Sequence, residues 1–105
     1  MPACPVQTAV SVMGGKWKPG LLYRLRQGTY RLSELKRHMP WISEKVLIRQ
    51  LRELEADGLV LRHDHGTKPP RVDYSLTEYG QTLGPLLDEM CRWGGGHIDR
   101  SSPPA

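Results

Sequence analysis

Apolar residues recur three or four positions apart along most of the chain, a spacing that predicts amphipathic helices rather than strands. The first predicted helix begins near Pro5, because a proline suits the first helical position, and it ends at the glycine pair 14–15. Val6, Val10 and Met13 form its apolar side. The pattern then predicts a helix from 18 to about 26, a short extended segment over 29–31 and a helix over 33–38.

The fourth predicted helix is the most regular amphipathic segment of the chain. It runs from Ser43, a good N-cap, to about Asp57. One side is a leucine stripe: Leu47, Leu51 and Leu54. The other side carries charged residues and one isoleucine: Glu44, Lys45, Ile48, Arg49 and Arg52. A core can hold the leucine side while the other side faces outward.

A β-hairpin is predicted after this helix. The first strand covers 59–63 and the second covers 71–76, where Val72, Tyr74 and Leu76 alternate onto one face. The residues between the strands are polar and include two prolines and a glycine, so they cannot pack into a core. We expect this loop to project from the domain.

The last predicted helix is capped by Thr77 and kinked at the Gly84-Pro85 pair. Its apolar stripe is long for the little domain left to cover: Leu83, Leu86, Leu87, Met90 and Trp93. We therefore expect this helix and the first one, through Val6 and Val10, to form a dimer interface. The glycines at 94–96 predict the end of the helix, which gives a domain over 1–95 and a flexible tail over 96–105.

This order of elements predicts a winged helix-turn-helix fold, mainly α with a β-hairpin wing, that dimerises through its N- and C-terminal helices. The 105 residues suffice for one small domain. They are too few for a β/α barrel or a doubly wound sheet.

The net charge of +4 is unevenly distributed. Residues 16–71 hold 13 basic and 6 acidic residues, a net +7, whereas residues 72–105 hold two basic and five acidic ones, a net −3. A concentrated positive field attracts polyanions, and nucleic acid is the commonest of them. An ordinary solvated surface is the alternative interpretation of the charge alone.

The sequence favours DNA binding once charge and element order are combined. The major groove admits one α-helix, and the fourth helix can offer it basic groups from a core-anchored position. Lys68 and Arg71 in the wing can reach neighbouring phosphates or the minor groove. The alternative is a winged-helix module that binds a protein partner and has no affinity for DNA. The salt dependence of binding distinguishes these two interpretations, since phosphate contacts weaken steeply as ionic strength rises.

No catalytic or cofactor motif stands out, so we expect a protein that is not an enzyme and needs no cofactor. The sequence has no glycine-rich phosphate loop and no nucleophile with a suitably spaced base. His63 and His65 fall on one side of a strand, but nothing completes a tetrahedral metal site, and solvated wing histidines are the simpler interpretation. With no signal peptide, no apolar span and only two cysteines, a cytoplasmic location is expected.

Several short strings together resemble the HxlR family of bacterial and archaeal winged helix-turn-helix regulators, which are related to the MarR type. They keep the family's order and spacing over about residues 4–93: Cys4–Val6, Gly14–Trp17, Ser33–Leu35, Ile42–Leu47, Leu51–Val60 and Pro69–Thr77. The resemblance implies a transcriptional regulator that binds a palindromic operator in double-stranded DNA as a homodimer.

The resemblance also implies which residues approach DNA. They are Ser43, Lys45, Ile48 and Arg49 in the fourth helix and the wing around His65 to Arg71, which includes Lys68. Arg52 joins this predicted set because it lies on the same charged side of the helix. This chain departs from the family where Ile48 replaces a more usual threonine and Trp41 a more usual glycine. Ile48 cannot hydrogen-bond a base but can touch a thymine methyl group, so the operator sequence does not carry over.

Cys4 precedes Pro5 at a helix start, where free N–H groups favour a thiolate. Several members of the HxlR family, which this sequence resembles, sense oxidants or electrophiles through a cysteine at this position. The resemblance therefore makes Cys4 a redox candidate, and it makes an oxidant or a small molecule a candidate effector. The alternative is that Cys4 only packs. Cys91 is expected to be structural or incidental, although a Cys4–Cys91 bridge across a dimer is a further alternative.

Overall fold

The computed structural model describes residues 4–101. Over this range the chain forms helices and strands in the order expected for a winged helix-turn-helix domain. The helices are α1 (Pro5–Met13), α2 (Lys18–Arg26), α3 (Leu32–His38), α4 (Glu44–Ala56), α5 (Glu78–Gln81) and α6 (Gly84–Ser101). The strands are β1 (Tyr30–Arg31), β2 (Val60–Asp64) and β3 (Val72–Leu76). The predicted fold class, mixed α and β with a hairpin wing, is confirmed.

Local capping sets the ends of α3 and α4. Glu34 accepts a hydrogen bond from the Arg31 backbone N–H at 2.9 Å, so α3 begins at Leu32, one residue before the predicted start. The Ser43 hydroxyl accepts the Val46 N–H at 3.2 Å and fixes the predicted start of α4. Past its other end, Gly58 adopts a φ of +76°, a value that glycine tolerates best.

The sheet has three antiparallel strands in the order β1-β3-β2, one more than the predicted hairpin. β2 and β3 form the wing, in a register that sets Arg62 opposite Tyr74. The short segment predicted as merely extended pairs with the other edge of β3, so that Arg31 lies opposite Asp73. The third strand thus ties the start of α3 to the base of the wing.

The core confirms the predicted leucine stripes. All three leucines of α4 are completely buried, together with those of α2 and with Leu35 of α3, whereas Leu32 at the start of α3 is half-buried. Tyr74 and Leu76 close the core from the sheet, while β2 is exposed after Val60. Of the stripe assigned to a dimer interface, Leu87 packs in the protomer's own core, and Leu83 is half-buried against it.

The predicted single kinked helix after the wing is wrong, because the chain forms two helices there. Thr77 caps only α5, where its hydroxyl accepts the Gly80 N–H at 2.9 Å and donates to the Gly58 carbonyl at 2.6 Å. A new helix then begins at Gly84, which places Pro85 in its first turn. A proline is tolerated there because its missing N–H would have had no partner inside the helix.

The glycine run at 94–96 does not end the last helix, which continues to Ser101. Isolated or clustered glycines weaken a helix by about 1 kcal/mol each but do not forbid it. Residues 96–101 of the predicted tail are therefore helical, and 102–105 lie outside the described residues. The division into a domain over 1–95 and a tail over 96–105 stays a prediction.

Candidate nucleic-acid interface

The outward side of α4 gathers the side chains that the sequence predicted to read DNA. Glu44, Lys45, Ile48, Arg49 and Arg52 line one shallow surface groove. Ser43 is exposed at the start of the same helix. Because the leucines of α4 point the opposite way into the core, the helix is held rigidly while its cationic side faces outward.

The turn between α3 and α4 is held by Lys36, a residue that the sequence reasoning missed. Its ammonium group donates to the Pro40 carbonyl at 2.8 Å and also to the Ile42 carbonyl. Ile42 is 2% exposed and anchors the turn in the core. These contacts fix the angle at which α4 leaves the turn. They also occupy the only ammonium group of α3, so Lys36 serves the fold rather than a ligand.

A second groove separates α4 from the wing. Ile48 and Arg52 line it from the helix, and Arg62 and Tyr74 line it from the sheet. Arg62 was not predicted as a site residue, because its approach to α4 depends on strand register rather than on sequence spacing. It extends the cationic surface of α4 onto β2.

The wing residues converge on Asp73, whose side chain is 13% exposed. His65 Nε2 lies 2.7 Å from one Asp73 oxygen, and an Arg71 guanidinium nitrogen lies 3.6 Å from the same oxygen. Arg31 approaches the other oxygen at 3.9 Å. The hydrogen bond from His65, followed by the charge of Arg71, holds the pKa of Asp73 below its ordinary value.

The wing tip is shaped by short-range hydrogen bonds. The His65 N–H donates to the Arg71 carbonyl at 2.9 Å and closes the loop between β2 and β3. The Thr67 hydroxyl donates to the Pro69 carbonyl at 3.0 Å. Lys68, between Thr67 and Pro69, is exposed and forms no ion pair with any residue of 4–101. Of the predicted wing residues, Lys68 is therefore free to meet a ligand, whereas His65 and Arg71 are already oriented by Asp73.

The rings of His63 and His65 meet edge to face, with centroids 4.3 Å apart. In the part of the chain that the structure describes, no group of three or more His, Cys, Asp or Glu side chains is arranged to hold a metal ion. Over the same residues, no helix is long and apolar enough to cross a membrane.

The two terminal helices expose large apolar side chains. Val6 and Val10 on α1 are 69% and 54% exposed, and Trp93 on α6 is 71% exposed. Leu86 and Met90 are less exposed, at 41% and 39%, and lie on the same helix. These five residues, which we call the terminal apolar surface, are the part of the predicted interface that the protomer does not bury itself.

Both cysteines are free and exposed, which argues against a mere packing role. Cys4 ends the segment before α1, and its carbonyl accepts both the backbone N–H and the hydroxyl of Thr8. Cys91 lies on α6 beside Tyr23 of α2. A hydrogen bond with the Cys91 side chain, together with its charge, raises the pKa of Tyr23.

The sequence profile of the HxlR-like helix-turn-helix family matches residues 12–102. This chain belongs to the HxlR-like family. Relatives that match nine-tenths or more of this chain are described as transcriptional regulators. The uncharacterised HTH-type transcriptional regulator YtcD of Bacillus subtilis (strain 168) is 50% identical over 95 residues, which cover 90% of this chain and 75% of that protein. A Methanothermobacter thermautotrophicus protein of the same description is 45% identical over 105 residues, 97% of this chain and 80% of that protein.

Solved structures of the redox regulators HypR and YodB share the fold of this HxlR-like chain. Reduced HypR has a TM-score of 0.88 and 46% identity, covering 91% of this chain and 95% of that one. Reduced YodB of B. subtilis has a TM-score of 0.79 and 33% identity, covering 96% of this chain and all of that one. The HxlR-like chain is therefore a DNA-binding transcriptional regulator of the helix-turn-helix type, as its sequence predicted.

Proposed function

We propose that this regulator is a homodimer that binds a palindromic operator, with one α4 in each of two successive major grooves. The observation that carries the proposal is the outward cationic side of α4, mounted on a fully buried leucine side. In this arrangement Lys45, Ile48 and Arg49 meet base edges or nearby phosphates, and Arg52 lies toward the wing. Two such helices would lie about 34–36 Å apart along the DNA.

The terminal apolar surface supports the homodimer. Val6, Val10, Leu86, Met90 and Trp93 are exposed on the two helices that the sequence assigned to the interface. Exposed apolar groups of this size on two terminal helices are typical of a contact surface rather than of a solvated one. In this proposal Leu83 and Leu87 support the interface from below, because they pack within the protomer.

Substitutions in α4 and the wing test operator reading. Arg49→Ala should cost roughly 1–3 kcal/mol of operator binding and relax discrimination at one base pair, if the guanidinium reads a guanine. Lys68→Ala should instead weaken all DNA sequences about equally, because a phosphate contact carries no sequence information. Fluorescence anisotropy with operator and unrelated duplexes measures both effects, and sedimentation of the complexes measures the number of protomers bound.

Lys16→Ala is the matched control for these variants, because Lys16 is an exposed cation between α1 and α2, outside α4, the wing and the terminal apolar surface. It should leave operator binding unchanged. Binding by the wild-type protein that ignores ionic strength would contradict the proposal and favour a winged-helix module for a protein partner.

We propose that Cys4 makes DNA binding sensitive to oxidation. Its exposure supports this role, and so does the similarity to HypR, described in reduced and oxidised forms, and to YodB, described after diamide treatment. A disulfide between subunits would remove two thiol hydrogens, which the oxidant takes up with two electrons. The new link would change the separation of the two α4 helices.

Cys4→Ser tests this role. The variant should bind the operator as the wild-type protein does but should no longer release it when diamide is added. Cys91→Ser is the matched variant: if the bridge joins Cys4 to Cys91 of the other subunit, it should abolish release as well. Gel shifts with and without diamide, beside non-reducing electrophoresis, measure the effect. Unchanged diamide-induced release from Cys4→Ser would show that the sensor lies elsewhere.

A further inference from the structure

A polar pocket lies between α3 and the base of the wing, outside the groove of α4. Three arginines from three different segments meet there: Arg31 of β1, Arg37 of α3 and Arg71 beside β3. The hydroxyl residues Thr29 and Ser33 lie beside them. We call these five residues the arginine pocket. Only Arg71 was assigned to DNA binding from the sequence.

The carboxylates near the arginine pocket are already engaged. Asp73 is shared by Arg31, Arg71 and His65, so one negative charge faces several positive ones. Glu34 accepts the Arg31 backbone N–H at the start of α3. Arg37 forms no ion pair with any residue between 4 and 101. The pocket therefore keeps an uncompensated positive charge at Arg37.

Guanidinium groups beside hydroxyl groups are well suited to phosphate. The planar guanidinium fork donates two parallel hydrogen bonds to phosphate oxygens, and a serine or threonine hydroxyl adds a donor. The negative charge of Asp73 disfavours an anion that is buried and fully desolvated. Asp73 also orients Arg31 and Arg71 at the rim of the arginine pocket. This geometry suits an anion that stays partly in water, such as a phosphodiester on the surface of a duplex.

The position of the pocket points to DNA as the source of that phosphate. The pocket and the groove between α4 and the wing flank the same part of β3 from opposite faces, because Arg71 and Asp73 alternate along the strand with Val72 and Tyr74. In a helix-turn-helix, the helix before the recognition helix crosses the DNA backbone. We propose that the arginine pocket binds a phosphodiester of the DNA backbone flanking the groove that α4 enters. This inference rests on the proposed function.

Arg37→Ala tests the pocket, because Arg37 is exposed, unpaired among the described residues and not part of the α4 surface. The affinity of this variant for the operator and for an unrelated duplex should fall by the same factor, roughly three- to tenfold at low salt. The slope of log affinity against log salt should become shallower by about 0.9 for each pocket occupied. Arg37→Lys should retain the slope because it keeps the charge. Lys16→Ala is the control for loss of a positive charge elsewhere. The thermal midpoint of Arg37→Ala should equal that of the wild-type protein.

The outcomes separate this inference from the proposed function. If the wild-type protein binds DNA and Arg37→Ala keeps the wild-type slope, the pocket inference is wrong and the proposed function stands. If neither protein binds DNA at any salt concentration, both are wrong. A titration with inorganic phosphate at constant ionic strength, followed by amide NMR shifts of Ser33 and Arg37, is the second arm. Saturable phosphate binding together with an unchanged DNA slope would assign the pocket to a free anion and overturn a DNA contact.

Discussion

Replacing Gly80 with alanine is expected to destabilise the protein by about 3 kcal/mol or more, the upper end of the range for an overpacked interior. A Cβ at this buried position would lie 2.2 Å from the Leu59 carbonyl oxygen and 3.1 Å from its carbon. Backbone hydrogen bonds hold Leu59 on both sides. Its N–H donates to the Leu54 carbonyl at 3.0 Å, and its own carbonyl accepts the Thr77 N–H at 3.0 Å. The clash therefore cannot be relieved by rotating a flexible side chain.

Gly95→Ala is the matched control for this prediction. Gly95 is exposed in α6, and an added Cβ would meet nothing within 4 Å. Alanine should therefore stabilise the helix by roughly 0.5–1 kcal/mol, because it loses less backbone freedom on folding than glycine does. Urea unfolding of the two variants measures both free energies. A Gly80→Ala protein within 0.5 kcal/mol of the wild type, in that assay, would mean that the Leu59 backbone can move aside.

Helix α4 and the wing were predictable from the sequence because their signals are local. The spacing of the leucines in α4 identifies its buried side directly. Ser43 marks the start of α4 through a cap whose hydrogen bond reaches only three residues along the chain, to Val46. The alternation of Val72, Tyr74 and Leu76 likewise gives the buried face of β3. The side chains on the outward side of α4 followed from the same periodicity.

The remaining features depend on contacts between distant segments, which spacing does not encode. The pairing of β1 with β3 brings Arg31 to Asp73, and no local pattern predicts it. The same holds for Arg37 in the arginine pocket and for Arg62 beside α4. The break between α5 and α6 was missed for another reason: Gly84-Pro85 is compatible with either a kink or a new helix start, and the spacing of apolar residues does not distinguish the two.

Leu51→Ala should lower the free energy of unfolding by about 2–5 kcal/mol, because it removes a completely buried side chain and leaves a cavity. This is a large part of the roughly 5–15 kcal/mol typical of a small domain. Leu51 lies on the core side of α4, away from the groove lined by Lys45, Ile48 and Arg49. At low temperature, where the variant remains folded, its affinity for DNA should therefore stay close to that of the wild-type protein.

Ile48→Ala is the matched substitution on the opposite side of the same helix. Ile48 is half-buried and lines both grooves beside α4, so the loss of stability should be only about 1 kcal/mol. Operator affinity should nevertheless fall, because an apolar contact to a thymine methyl group would be lost. Urea unfolding and anisotropy on both variants separate the two effects. If Leu51→Ala lost operator affinity while fully folded and Ile48→Ala kept it, the outward side of α4 would not be the surface that reads DNA.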